Sequence, residues 1–272
     1  MNPPQIPLED SWTDVLGKAA NGLKFPPDRL ADACGCRREE IEGLLEGRLD
    51  ADLLKKAAAV LGLSAEKLAV LARGDFPSPG VVFPDGVLGF NTDFGGMTVN
   101  SYLIWDPATG EAAAFDTGAD CDPLVEAASA RNLAIRQIFL THSHGDHVID
   151  LDRLVEKTRA AAWIGEREPL AGASPFPEGR VFQIGGLRVD TALTWGHSPG
   201  GITYIIGGLA SPAAVVGDSI FVGSAGGGRH DYGAALSTIR ERILTLPADT
   251  ILLPGHGPAT TVAHELANNP FF

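Results

Sequence analysis

Residues 141–147 read Thr-His-Ser-His-Gly-Asp-His, which places His142, His144, Asp146 and His147 within six residues. A packed core has no use for that density of polar groups, because each is costly to bury unless it is paired. A bound cation supplies the pairing. In extended backbone His142 and His144 would point to one side, and the turn that Gly145 permits would redirect Asp146 and His147. Counted from His142, three more candidates follow at intervals of 55, 21 and 38 residues. They are His197 in TWGHSPGG, Asp218 at the end of AAVVGDS, and His256 at the end of TILLPGHG. Alone, each would read as an ordinary packed or hydrogen-bonded side chain; beside the first cluster they read as ligands. Seven nitrogen and oxygen donors fit two hard or borderline divalent cations, Zn2+ first and Fe or Mn2+ as alternatives, and argue against a sulfur site.

Such ligands need a scaffold that presents strand ends and turns to one place. The stretch GDFPSPG at 74–80 divides the chain, since Pro77 and Pro79 supply no backbone donors. Residues 1–75 read as a small all-helical domain, with helices expected at 28–33, 37–46, 51–61 and 65–72 and breaks at Gly35, Gly47 and Gly62. Asp50 and Ser64 stand where helix caps belong. Residues 76–272 change to apolar strand patterns interleaved with helices near 123–132, 148–159, 234–244 and 260–267. That alternation predicts an α/β sandwich, two sheets covered outside by helices. Two parts of this kind also predict that removing residues 1–74 leaves metal binding intact.

The motifs HSHGDH, GHSPG, GDSIF and GHG, taken in order, resemble the signature of the metallo-β-lactamase fold, and its binuclear glyoxalase II-like branch in particular. The resemblance covers residues 81–272 and implies an αββα sandwich. It further implies that His142, His144 and His197 hold one metal and that Asp146, His147 and His256 hold the other. Asp218 would bridge the two, and Asp146 and Asp218 would be the catalytic carboxylates. Flavodiiron proteins of the fold have a Glu at the place of His144, and true β-lactamases lack the bridging aspartate. The segment GSAGGGRHDYG resembles a loop of small glyoxalase II-like proteins, so Arg229, His230 and Asp231 are candidates for substrate contact or for bracing a ligand. A plain helix-terminal aspartate and a surface arginine are equally good readings of Asp231 and Arg229. Large glyoxalase II enzymes carry a C-terminal helical domain that grips glutathione. Only 16 residues follow His256 here, so glutathione is expected to bind in another way if at all.

With both cations in place, a water between them would ionise near neutral pH and attack a carbonyl. Thioesters suit this chemistry because a thiolate leaves with little protonation. Lactones and other carboxylic esters remain alternatives, as does persulfide oxidation on a single iron held by His142, His144, His197 and Asp218. A different class of function comes from residues 30–71, which resemble the helix-turn-helix of the lambda-repressor-like group. A metabolite-sensing DNA-binding regulator would follow. Glu39, Glu40, Glu42 and Glu46 crowd the helix that would read DNA, and residues 24–73 hold nine acidic and nine basic side chains. DNA binding is therefore disfavoured. The helices are expected instead to pack on the catalytic part or to make a homodimer contact.

Charge points the same way. The net charge is −13, of which −10 lies in residues 76–272, a poor match for a polyanionic substrate and a reason to expect a small-molecule ester or thioester. Cys34, Cys36 and Cys121 have neither the number nor the spacing of a disulfide framework. The sequence shows no long apolar run and no basic-then-apolar leader, so no membrane span and a cytoplasmic location are expected.

Overall fold

The computed structural model describes residues 6–272. It opens with five helices: α1 (Trp12–Gly22), α2 (Pro27–Cys34), α3 (Arg38–Leu45), α4 (Ala51–Val60) and α5 (Ala65–Ala72). Asp50 accepts from the backbone N–H of Asp52 and Leu53, and Ser64 from Lys67, so both caps form where the sequence placed them. Gly35 ends α2 at φ 67°, the left-handed conformation that a side chain resists. Helix α1 starts at a capping box in which Ser11 and Asp14 satisfy each other's backbone donors.

Two six-stranded sheets follow. The first is formed by β1 (Val87–Phe94), β2 (Met97–Trp105), β3 (Glu111–Phe115), β4 (Ala134–Leu140), β5 (Ala161–Gly165) and β6 (Ser174–Phe176), in that order. Helices α6 (Asp122–Ala130), α7 (Gly145–Val148) and α8 (Leu151–Thr158) interrupt it in the chain. The second sheet comprises β7 (Val181–Ile184), β8 (Leu187–Leu193), β9 (Ile202–Gly207), β10 (Ala213–Gly217), β13 (Ile251–Pro254) and β14 (Thr260–Thr261). Its order is β14-β13-β10-β9-β8-β7. A small hairpin of β11 (Ile220–Phe221) and β12 (Ser224–Ala225), helix α9 (Tyr232–Thr238) with a π-turn at Ile239–Ile243, and α10 (Val262–Asn268) complete the chain. The expected αββα sandwich is the observed architecture, preceded by the all-helical region.

Strand alternation assigns the layers. In β10, Ala213 and Val215 face the core between the sheets with Phe115, Phe139 and Tyr204, whereas Ala214 and Val216 face outward. Leu252 in β13 also faces outward, between inward Ile251 and Leu253. These outward residues join Val15, Leu16, Leu30, Ile41, Leu54 and Leu68 of the five N-terminal helices in one continuous cluster with Ile220, Ile239 and Val262. The outer face of the first sheet is covered separately, by Leu124, Leu151 and Leu154 of α6 and α8.

The shared cluster changes the expectation for truncation. Deleting residues 1–74 would uncover Ala214, Val216, Ile220 and Leu252, all at or below 1% exposure. Each large apolar side chain so exposed forfeits about 1.5–3 kcal/mol. The truncated protein is expected to be insoluble or to melt well below the full chain in a thermal denaturation, and to lose metal through unfolding. A truncated protein that melted like the full chain would show that the helices are dispensable.

Candidate metal centre

All seven expected ligands converge where the ends of β4, β10 and β13 meet. His142, His144, His197 and Asp218 present donor atoms within 4.8 Å of one another, and Asp146, His147 and His256 form a second such group. Asp218 stands between the groups: Oδ2 lies 3.4 Å from Nε2 of both His197 and His256, and Oδ1 lies 3.3 Å from His147 Nε2. Asp146 Oδ2 is 3.2 Å from His256 Nε2 and 3.6 Å from His147 Nε2. His144 turns Nδ1 inward, 3.0 Å from His142 Nε2 and 3.1 Å from His197 Nε2. Donors bonded tetrahedrally to a Zn2+-sized ion at about 2.1 Å stand roughly 3.4 Å apart, the spacing seen here.

Hydrogen bonds behind the rings fix which nitrogen faces the centre. His147 Nδ1 donates to Asp116 Oδ2 at 2.9 Å, His197 Nδ1 to the Gly227 carbonyl at 3.1 Å, and His256 Nδ1 to the Thr98 carbonyl at 2.6 Å. Carboxylates and carbonyls only accept, so Nδ1 carries a proton and Nε2 is the nitrogen turned toward the centre, free to ligate a metal once it carries no proton of its own. For His142 the same result comes through Thr141. Its hydroxyl donates to Asp116 Oδ2 at 2.8 Å, leaving the oxygen to accept from His142 Nδ1 at 3.0 Å. Lone pairs aimed at one another at 3.0–3.1 Å repel unless a cation or proton lies between them. His147 Nε2 and Asp218 Oδ1 are moreover buried without a hydrogen-bond partner among the described residues. The donor set fits a pair of divalent cations.

The charges respond as such a site requires. Burial drives His142 well below the ordinary imidazole range, and His147 adds to this by repulsion. Burial lowers His197 too. For Asp218, burial opposes ionisation, but His147 and His256 outweigh it and hold the carboxyl well below the usual range. Burial likewise opposes charging of His147 and His256, yet the carboxylates Asp218, Asp116 and Asp146 lift them to about 10 and about 11. In the metal-free protein, protons on these two rings therefore compensate the carboxylates at neutral pH. Metals must displace them, so loading at pH 7 is expected to release about two protons per chain. Apparent affinity should climb with pH through the neutral and mildly alkaline range. Calorimetric titration in buffers of different ionisation enthalpy measures the release; none would refute the linkage.

Two glycines make the close approach feasible. A Cβ on Gly255 would overlap the Asp218 carboxylate and the His147 ring, and one on Gly217, at φ 50°, would press on Thr141. Three side chains hold the loops together, and none stood out as functional in the sequence. Asp116 bonds Thr141 and His147, Glu168 accepts from Ser143 Oγ at 2.5 Å and from Gly200 N–H at 2.8 Å, and Asn100 donates to the Pro254 and Gly257 carbonyls. Asp116 had a readable signal, an acid ending the apolar run AAAF before Thr-Gly. Glu168 had none; GEREPL reads as solvated loop, yet Glu168 is 2% exposed.

The remaining candidates lie at the rim. Asp231 accepts from Ala234 N–H as the cap of α9, so the bond that braces His197 comes from the Gly227 backbone and not from Asp231. Arg229 is exposed, and exposed His230 lies edge-on to Trp195 at 6.0 Å. The N-terminal region reaches the centre as well. Lys18 of α1 is paired with Asp10, donates to the Ala225 carbonyl and lies 4.9 Å over the Phe221 ring, itself 5.9 Å from the His256 ring.

Residues 94–256 match the Metallo-beta-lactamase superfamily. Among curated proteins, the chain is 31% identical over 204 residues to "Probable metallo-hydrolase YqgX" of Bacillus subtilis, covering 65% of this chain and 93% of that one. It is 29% identical over 197 residues to "Hydroxyacylglutathione hydrolase GloC" of Haemophilus influenzae, covering 63% and 92%. Among solved structures it is similar to BLEG-1 B3 metallo-beta-lactamase (TM-score 0.58, 27% identity, 68% of this chain and 99% of that one). It is also similar to TTHA1623 in a di-iron-bound form (TM-score 0.56, 26% identity, 67% and 100%). The paired clusters form a binuclear metal-binding site typical of metal-dependent hydrolases of this fold. From the matched span and the geometry together, the chain is a member of the metallo-beta-lactamase superfamily.

Proposed function

We propose that this protein is a binuclear metal-dependent hydrolase of the glyoxalase II-like kind, cleaving a thioester or a related carboxylic ester. The observation that carries the reading is the place of Asp218, whose two oxygens face the two ligand groups. His142, His144 and His197 would hold one cation, Asp146, His147 and His256 the other, and Asp218 both. When bound, the cations supply Lewis acidity toward the substrate carbonyl and lower the pKa of an intervening water toward neutrality. Asp146 is the more exposed of the two carboxylates in the centre, at 14% against 8% for Asp218. It is placed to orient the attacking water and accept its proton on the free lone pairs of its carboxylate. The Nδ1 bonds to Asp116, Gly227 and Thr98 keep the rings from rotating as charge develops. A thiolate leaves without a strong general acid, so the chemistry needs no dedicated proton donor at the rim.

Similarity to a hydroxyacylglutathione hydrolase supports thioester chemistry, and the completeness of the second ligand group favours two metals over a single iron. For the helical region we infer a packing role. Arg37 pairs with Glu40, and Arg38 with Glu42 and Asp28, so the cations of α3 are already matched by carboxylates. The test is elemental analysis of freshly purified protein alongside a panel of a small thioester, a lactone and glutathione persulfide. Two Zn2+, Fe or Mn2+ per chain with thioester turnover is the expected result. Oxygen consumption on the persulfide with one iron per chain would overturn it.

A further inference from the structure

A cavity of about 580 Å³ lies beside the metal centre and outside its ligand set. Three stretches close it, 6–8, 76–81 and 257–259, over the face of β1 and β2 that carries Asn91 and Asn100. Its volume is in the range of small-molecule sites. None of the described lining residues is charged. The polar side chains on the β2 wall are already engaged. Asn100 donates to the carbonyls of Pro254 and Gly257 and accepts from Asn91, and the Tyr102 hydroxyl donates to Pro254. An occupant thus meets mostly apolar side chains and no charged one, and a charged ligand would be desolvated without compensation.

Position ties the cavity to the centre. Asn100 holds the two carbonyls that bracket Gly255 and His256, and Gly257 is itself part of the wall. Glu9 packs on Gly257, within 3.1–3.4 Å of where a Cβ there would lie.

We propose that this cavity binds an uncharged aliphatic acyl chain, and that the chain is the acyl arm of the ester cleaved at the metal centre. The second half rests on the ester-hydrolase reading above. Glutathione, with two carboxylates and an ammonium group, finds no charged partner in such a wall.

Binding and turnover test the two halves separately. Octanamide and acetamide would be titrated calorimetrically into metal-loaded and metal-free protein. Hydrolysis would be followed on acetyl, butyryl, hexanoyl and octanoyl thioesters of N-acetylcysteamine. Octanamide is expected to bind at least ~100-fold tighter than acetamide in both forms, and kcat/KM to rise roughly three- to fourfold per methylene. Ser78→Trp, which fills the cavity from the linker, should collapse the octanoyl-to-acetyl ratio toward one, whereas Ser78→Ala should keep it. Circular dichroism and metal content establish that the Trp variant is folded; if it is not, Ala259→Leu narrows the opposite wall and is judged by the same ratio. Equal binding of the two amides, or a chain-length advantage that survives both filled variants, would overturn the proposal. Octanamide binding without hydrolysis of any thioester would overturn the acyl-arm assignment and the ester reading, and would support the cavity's ligand class.

Discussion

Asp218→Asn is expected to abolish turnover and to strip both metals, not one. The carboxylate lies within 3.4 Å of imidazoles in both ligand groups, and its Oδ1 is buried with no other partner. An amide of the same shape removes the negative charge that offsets two cations and exchanges one ligating oxygen for an NH2 group, which only donates and cannot hold a metal. Loss of transition-state stabilisation worth about 4 kcal/mol corresponds to roughly a 10³-fold fall in kcat/KM. Metal content by elemental analysis should fall from two ions toward none. Retention of both ions with near-normal turnover would refute the bridging role.

Gly255→Ala should be nearly as damaging although it removes no ligand. The added methyl would overlap the Asp218 carboxylate and the His147 ring. Neither can retreat: the ring is held by Asp116, and both groups are buried. Overpacking of this kind destabilises by about 1–3 kcal/mol, and displacing ligand geometry weakens metal binding by about 10–100-fold. Gly207→Ala is the control, since a Cβ there meets nothing within 4 Å. Metal affinity and melting temperature should both drop for Gly255→Ala and stay put for Gly207→Ala. Equal behaviour of the two would show that the close approach is unimportant.

The seven ligands were legible because they stand out chemically. Imidazoles and carboxylates at the ends of runs such as AIRQIFL, AAVVGDS and TILLPGHG have no apolar use, and their residue types alone name the chemistry. The sandwich was legible for a related reason, since β10 and β13 are apolar throughout and must be covered on both faces. What escaped was whatever depends on long-range pairing. Glu168 ties Ser143 to Gly200 across the fold, and no local pattern announces that. That the N-terminal helices pack on the catalytic part was one of two roles expected of them, but the sequence does not say which surface they cover. Leu53, Leu54, Ala57 and Leu61 show an apolar face, but nothing in their spacing says that the cluster they join extends to the outer side of β10. For Asp231 the sequence left two readings open, bracing a ligand or capping a helix, and the side chain serves as the cap of α9.

The most direct test is a diffraction experiment on metal-loaded crystals with data collected on both sides of the metal absorption edge. Two anomalous peaks are expected, one within bonding distance of His142, His144 and His197, the other of Asp146, His147 and His256, with Asp218 touching both. A single peak, or peaks away from these side chains, would contradict the binuclear centre.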